Sequence, residues 1–381
     1  MTEVMEMIYD YPFIKVAYQD DLVFSEGKSY PAGSLLVSLL NCFREHDKSD
    51  SPLINLAHLS QLQYEMEHGR CGSIYFENAR STIMSILSYL PASPSFAWLK
   101  LEEEQAYIND LFSEKTRLKI RIYLKHKSEL SRLRSIDISE LRDLRRHSTL
   151  CILEKVYQEV LKALEFYQYF DMDMRTAHDL IEKFIQRLPT IPRLDEKHML
   201  PSAVEILGEK PIHLTASYVP IYRTSRSKSA TVARQVHFDN IMSFILTDFY
   251  EGLHHGHYPQ RCAICGKLFL MTSARRQIYC DGLSPHSLRG KQLSCRKYAA
   301  AIGRKERAES DPVADTYNRR CAAIRTEKSR KTIKPEFAEA AIKLAKEHKL
   351  KALQDESYAH KQYELDMTRD KLYADTRERL K

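Results

Sequence analysis

The spacing of apolar residues changes near the start of the chain. Between residues 13 and 24 apolar and polar side chains alternate on both sides of the polar segment 19–21, which predicts a short β-hairpin. After Gly33 the period lengthens: Leu35, Leu36, Leu39 and Leu40 recur at helical intervals, and Ser34 stands where a helix cap is expected. The N-terminal part of the chain therefore begins with strands and continues as a helix.

Helical spacing dominates from there to about residue 186, and prolines at 91 and 94 and the segment 145–149 are expected to break it. One stretch departs from this period. Between residues 117 and 125, Leu118, Ile120 and Ile122 alternate with basic residues, a pattern typical of a strand with one charged face. The N-terminal hairpin is a candidate partner for this strand, whose basic side is then a solvated sheet face.

The pattern weakens between residues 188 and 232, where prolines are frequent and residues 224–229 indicate a basic loop. A strong helical stripe follows, carried by Phe238, Ile241, Ile245 and Leu253. This predicted helix leads directly into a group of cysteines.

Four cysteines carry a metal-ligand pattern. Cys262 and Cys265 are separated by two residues, and Cys280 and Cys295 each follow after fourteen more. The closely spaced first pair can bind one side of a tetrahedral ion, and the two later cysteines complete the thiolate shell. Gly266 allows the backbone to turn beside the first pair. The spacing predicts one structural Zn²⁺. A disulfide pair and four unrelated buried thiols are the alternatives, and a reducing compartment favours the metal.

Several histidines compete as ligands. They are His254, His255, His257, His286 and His237. A shell of three cysteines and His286 would leave Cys295 free. Four cysteines are the better set because Ser294 indicates a helix cap and places Cys295 in a first helical turn, where amide groups stabilise a thiolate.

The segment between the cysteines predicts the local fold of this module. Two apolar runs, 267–271 and 277–279, flank a polar turn and predict a hairpin between the first cysteine pair and Cys280. Residues 281–290 are rich in Gly, Pro and Ser and indicate a loop. The predicted order of knuckle, hairpin and helix is that of a treble-clef finger.

This order of cysteines, with an aromatic residue before Cys280 and basic residues after Cys295, resembles the CGNR-type zinc finger of bacterial transcription regulators. It is similar to a bacterial family in which a long helical region precedes such a finger, over roughly residues 235–345. The resemblance implies zinc ligation by the four cysteines and nucleic-acid binding. Two features differ: the Cys280–Cys295 interval is longer, and Arg296-Lys297-Tyr298 stands in place of Gly-Asn-Arg.

Charge is distributed unevenly along the chain. The net charge of the chain is +7. Residues 261–334 hold 18 Lys and Arg against 6 Asp and Glu, whereas residues 1–260 hold 30 Lys and Arg against 35 Asp and Glu and are net acidic. A basic segment beside a predicted finger suggests a polyanionic partner. The residues expected to contact nucleic acid are Arg275, Arg276, Arg296, Lys297, Arg304, Lys305, Arg319, Arg320, Arg325 and Lys328.

These patterns predict a mainly α fold with a small β component (α+β). We divide it into a mainly helical domain with a short N-terminal hairpin (1–232), a connecting helix with the four-cysteine module (233–308), and basic and charged helices (309–381). Helices are expected to begin near Cys295, after Asp311 and at Pro335.

Composition narrows the class of protein further. The start of the chain lacks the features of a signal peptide and no apolar run is long enough to span a bilayer, so we expect a cytoplasmic protein without membrane contact. A phosphate loop, a nucleophile elbow and an HExxH helix are absent from the sequence, and we expect no enzymatic activity. The predicted function is zinc-dependent nucleic-acid binding, with DNA favoured and a protein partner or homodimer through the N-terminal domain. The alternative is a zinc-stabilised interaction adaptor.

Overall fold

The computed structural model of the protein describes residues 14–47, 52–134, 144–208, 212–222, 229–273, 275–288 and 290–380. Apart from Ser229, the predicted basic loop 224–229 lies outside these residues. Helices make up most of the described chain and the strands are all antiparallel, which confirms the predicted mainly α fold with a small β component.

The helices are α1 (Ser34–Asp47), α2 (Pro52–Glu67), α3 (Ser73–Tyr89), α4 (Leu101–Leu111), α5 (Glu114–Arg134), α6 (Leu144–Arg187), α7 (Glu196–Leu207), α8 (Ile241–His254), α9 (Cys295–Ser310), α10 (Pro312–Ser329), α11 (Pro335–Gln354), α12 (Glu356–Lys361), α13 (Tyr363–Asp366) and α14 (Arg369–Arg379). The strands are β1 (Ile14–Gln19), β2 (Leu22–Ser25), β3 (Lys28–Pro31), β4 (Leu214–Ile221), β5 (Thr231–Phe238), β6 (Tyr258–Arg261), β7 (Leu268–Met271), β8 (Leu283–Leu288) and β9 (Lys291–Ser294).

Residues distant in sequence form one five-stranded sheet, in the order β3-β2-β1-β5-β4. The predicted N-terminal hairpin is present as β1 and β2, and Asp20 in its turn has a φ of 52°, a left-handed conformation that Asp tolerates. β1 continues the sheet by pairing with β5, in a register that sets Ile14 opposite Phe238. Both side chains are fully buried in the apolar core that the helices complete.

A buried carboxylate joins α8 to the beginning of α1. Asp248 is 0% exposed and accepts hydrogen bonds from the backbone N–H groups of Gly33 (3.1 Å) and Leu36 (2.9 Å) and from the Tyr18 hydroxyl (3.3 Å). It thereby satisfies amide groups that the first turn of a helix leaves unpaired. Burial raises the pKa of Asp248 to about 6, while these hydrogen bonds oppose the rise.

The predicted strand at residues 117–125 is wrong, because this stretch lies inside α5. The buried residues of α5 are Thr116, Ile120, Tyr123 and Leu130, which follow helical spacing, whereas Leu118 and Ile122 are about half exposed. The alternation of apolar and basic residues was therefore a short coincidence within a longer helical stripe. The expected break at 145–149 is also wrong, since α6 runs through it for 44 residues.

Contacts between residues divide the chain into two compact units, Met1–Ile278 and Tyr279–Lys381. The first unit contains the five-stranded sheet and the helices α1 to α8. The second has a smaller apolar core, in which Ile324 of α10, Ala341 and Leu344 of α11 and Leu372 of α14 are buried.

Candidate metal centre and basic segment

The first cysteine pair lies in the turn of a β-hairpin. β6 and β7 pair from Tyr258↔Met271 to Arg261↔Leu268, and the chain turns between them. Within the turn the N–H of Cys262 donates to the carbonyl of Lys267, and the N–H of Gly266 donates to that of Cys262, each at 2.9 Å. Gly266 has a φ of 69°, a conformation that favours glycine. The hairpin predicted after Cys265 is therefore wrong in its pairing, because β7 pairs with the strand before the cysteines.

The second cysteine pair is held by a separate set of backbone bonds. The N–H of Cys295 donates to the carbonyl of Gly282 (2.8 Å), and the N–H of Arg296 donates to that of Cys280 (3.2 Å). The segment between them forms the β8–β9 hairpin, so the predicted loop at 281–290 is wrong for most of its length. Ser294 caps α9 by accepting the N–H of Lys297 (3.4 Å), as its position in the sequence predicted.

The four cysteine side chains come together. Taking one Sγ from each of Cys262, Cys265, Cys280 and Cys295, all four atoms lie within 4.8 Å of one another. A tetrahedral tetrathiolate site with metal–sulfur bonds of about 2.3 Å has sulfurs roughly 3.8 Å apart, so the arrangement is close to that of a ligand shell. Cys262 and Cys295 are buried and the other two are partly buried. All eight cysteines of the chain lie in the described residues, and none of them forms a disulfide. This cluster could hold a metal ion.

The competing histidines have other contacts. His254 pairs with Glu196 (Nδ1 to Oε1, 2.9 Å), and Nδ1 of His257 lies 3.0 Å from the carbonyl oxygen of Ala32. The exposed ring of His286 lies over Tyr298, with centroids 5.5 Å apart. His237 lies on β5 beside Gln235, and His255 lies next to His254. Within the described residues, the group of metal-binding side chains at this site contains cysteines alone.

Two arginines that sequence reasoning missed contact the turn of the first pair. Arg44 of α1 and Arg261 of β6 both donate to the carbonyl of Gly266, the latter at 2.5 Å. Arg261 also binds the carboxylate of Glu182 (Nε to Oε2, 3.0 Å), and burial together with repulsion from Arg44 lowers its pKa. Four ligated thiolates would leave net negative charge here, and these cations are placed to offset it. Arg261 adjoins Cys262 in the sequence, whereas no local signal indicates Arg44.

Asn41 of α1 fixes the start of β7. Its side chain donates to the carbonyl of Leu268 and accepts the N–H of the same residue, both at 2.8 Å. Lys267, which precedes Leu268 in the sequence, pairs with Glu45 of α1, and this hydrogen bond raises the pKa of the lysine. The hairpin that carries the first cysteine pair is therefore joined to α1 by side-chain contacts.

The predicted nucleic-acid contacts fall into two groups. The first group has partners within the chain: Arg276 donates to the carbonyl of Leu188 (2.9 Å), Arg296 pairs with Asp281 (3.1 Å), Lys305 with Glu309 (3.7 Å), Arg319 with Asp315 (2.7 Å) and Lys328 with Glu339 (3.1 Å), and Arg320 donates to the carbonyl of Met367 (2.6 Å). The second group is exposed and, within the described part of the chain, forms no ion pair: Arg275, Lys297, Arg304 and Arg325.

Comparison with known proteins finds one similarity. A family model described as "Family of unknown function (DUF6076)" matches residues 209–379, which include all four clustered cysteines and the basic segment after them. No curated protein and no solved structure gives a significant match. In the described residues, no helix has both the length and the apolar character required to cross a membrane.

Proposed function

We propose that this protein binds nucleic acid, with DNA favoured, through basic helices that a structural zinc site holds in place. The observation that carries the proposal is the position of the cysteine cluster at the start of α9, the first helix of the most basic segment of the chain. A ligand shell that includes the first residue of a helix fixes that helix end.

Zinc is the metal that the donor set favours. Four cysteine sulfurs are soft ligands, and a compact set of four suits the tetrahedral geometry that Zn²⁺ adopts in structural sites. With four thiolates bound, zinc has no open position for a substrate or water, so its contribution would be to folding. We therefore assign the site a structural role and propose no enzymatic activity.

The partner follows from charge. Residues 261–334 carry 18 basic against 6 acidic side chains, and the exposed Lys297, Arg304 and Arg325 lie on α9 and α10. Basic side chains on helices suit phosphate contact, and release of counterions makes such binding strongly dependent on salt. The net acidic region before residue 261 would repel a polyanion.

A protein-interaction adaptor is the second candidate. Its support is the apolar surface of the second unit, where Leu350, Leu353 and Leu365 are 50%, 60% and 57% exposed. In the first unit β4 is an outer strand of the sheet, with Tyr218 76% exposed, and it suits a protein partner or a second copy of the chain.

The test is a binding titration of the zinc-loaded full chain against duplex DNA at several salt concentrations. If six or more phosphates are neutralised, affinity should fall by about three to five decades between low and moderate salt. Changing Arg296, Arg304, Arg319 and Arg325 together to Glu should abolish binding without changing zinc content or helicity.

The matched control reverses charge in the acidic region. Arg121 and Lys125 are exposed on α5, and changing both to Glu should leave DNA affinity unaltered. Unchanged affinity in the fourfold reversal would exclude the basic segment as a nucleic-acid surface and favour the adaptor.

A further inference from the structure

Helix α9 has two faces of different character. Cys295, Tyr298 and Ile302 follow helical spacing on one side: Cys295 is 0% exposed and belongs to the metal-binding cluster, Tyr298 contacts His286, and Ile302 is partly buried. Cys295 is the single fully buried residue of this 16-residue helix. The charged side chains of α9 are all exposed and are therefore accessible to a partner.

The opposite side is basic. At 3.6 residues per turn, Arg296, Lys297, Arg304 and Arg307 fall within about 100° of arc, centred opposite the anchored side. All four are exposed. The acids of α9, Glu306 and Glu309, lie outside this arc, and Lys305, also outside it, pairs with Glu309 at 3.7 Å. We call these four residues with Ala300 and Gly303 the basic face of α9.

A glycine lies within this face without a packing reason. Gly303 stands in one row with Arg296, Ala300 and Arg307, and a Cβ built on it meets no atom within 4 Å. Gly252, the glycine inside α8, differs because its Cβ would lie 2.9 Å from the carbonyl oxygen of Ala32. Glycine inside a helix is destabilising relative to alanine. At Gly303 nothing in the described structure offsets that loss, whereas close approach of a ligand to the helix backbone would.

From these observations we infer that the basic face of α9 lies in the major groove of a DNA duplex, with Gly303 at the edge of that face, where the helix backbone comes close to the duplex. The inference rests on the proposed function and names its contact surface. Arg307 lies eleven positions after Arg296, about 16 Å along the helix, which suffices to reach phosphates on both sides of a groove about 12 Å wide. The major groove of an RNA duplex is too narrow to admit a helix.

Helix α10 is the less suitable candidate for the groove. Arg319 and Lys328 are paired with Asp315 and Glu339, and Arg320 donates to a backbone carbonyl. Contact with phosphate would have to displace these partners. On the basic face of α9, Arg296 is also paired, with Asp281 (3.1 Å), whereas Lys297, Arg304 and Arg307 form no ion pair within the described residues. The basic residues of α10 are therefore assigned to flanking phosphate contacts.

The experiment uses zinc-loaded full-length protein and a fluorescein-labelled mixed-sequence DNA duplex of about 30 base pairs, followed by anisotropy at fixed salt. Gly303→Leu should lower affinity at least about tenfold, because it fills the contact point, while its thermal midpoint stays equal or rises because leucine favours helix. Loss of binding with retained stability distinguishes a contact residue from a structural one.

Two adjacent basic residues provide a charge-matched pair. Arg304→Ala should reduce the slope of log affinity against log salt by about one unit, which corresponds to one phosphate contact. Lys305→Ala, whose side chain lies outside the basic face, should leave this slope unchanged. Equal effects of the two substitutions, or full affinity in Gly303→Leu, would overturn the assignment of α9 even if the parent chain binds DNA. Equal affinity for an RNA duplex of the same sequence would overturn it as well. A parent chain that binds no duplex would overturn the proposed function itself.

Discussion

Gly252→Ala tests how tightly α8 packs against the start of α1. The added Cβ would lie 2.9 Å from the carbonyl oxygen of Ala32, 3.0 Å from Cα of Gly33 and 3.2 Å from the carbonyl carbon of Ala32. All three are backbone atoms, which cannot rotate away as a side chain can. A separation under 3.0 Å therefore requires the two segments to move apart.

The neighbouring contacts resist that movement. One turn before Gly252, Asp248 accepts the N–H groups of Gly33 and Leu36, and after the helix His257 contacts the carbonyl of Ala32 at 3.0 Å. Overpacking costs about 1–3 kcal/mol, and a buried hydrogen bond strained by the shift costs about 1–3 kcal/mol more. The higher helix propensity of alanine than of glycine offsets about 1 kcal/mol of this cost. We expect net destabilisation of about 1–5 kcal/mol.

Urea denaturation followed by tryptophan fluorescence measures this change. The chain has one tryptophan, Trp98, which packs against the core of the first unit and so reports the unfolding of that unit. Gly303→Ala is the matched control, since its Cβ meets nothing within 4 Å and it lies in the second unit. A Gly252→Ala midpoint equal to or above that of the parent would refute the close approach of α8 to α1.

Two further predictions concern the metal site and the buried acid. Elemental analysis should find one zinc per chain. The Cys295→Ser variant should lose this zinc and its cysteine module should unfold, because metal binding in such sites supplies on the order of 10 kcal/mol of folding free energy. Stoichiometric zinc in that variant would remove Cys295 from the ligand shell. Burial raises the pKa of Asp248 from 3.8 to about 6, so folding favours the protonated form. The contribution of protonated Asp248 to the free energy of unfolding is fully present below about pH 4. As pH rises through 6 this contribution is lost, and the free energy of unfolding falls by up to about 3 kcal/mol. Asp248→Asn should flatten the dependence of the urea midpoint on pH between 4 and 7, and an unchanged slope would contradict this.

Features that depend on a few adjacent residues could be predicted from the sequence. The cap at Ser294 and the prolines at 312 and 335 mark helix starts that the structure confirms, since capping and proline geometry act over one turn. The spacing of Cys262 and Cys265 acts in the same local way, since two intervening residues set both side chains in one turn. Cys280 and Cys295 reach the same site through the β8–β9 hairpin between them.

Strand pairing was harder to predict, because it depends on which segment is available in space. The apolar run at 268–271 can pair with either neighbour, and the structure selects β6, whose register continues to Tyr258. Similarly, nine residues of alternating pattern in α5 could not reveal the stripe of Ile120, Tyr123 and Leu130, which is defined over 21 residues.

The sequence by itself determined the fold class, the four clustered cysteines and the location of the positive charge, because composition and local spacing carry each of them. Only the tertiary structure decided that Arg44, 222 residues from Gly266, donates to its carbonyl, and that Asp248 satisfies amide groups at the start of α1. These contacts depend on how distant segments pack, and the free energy of burying a polar group is set by partners that no local pattern specifies.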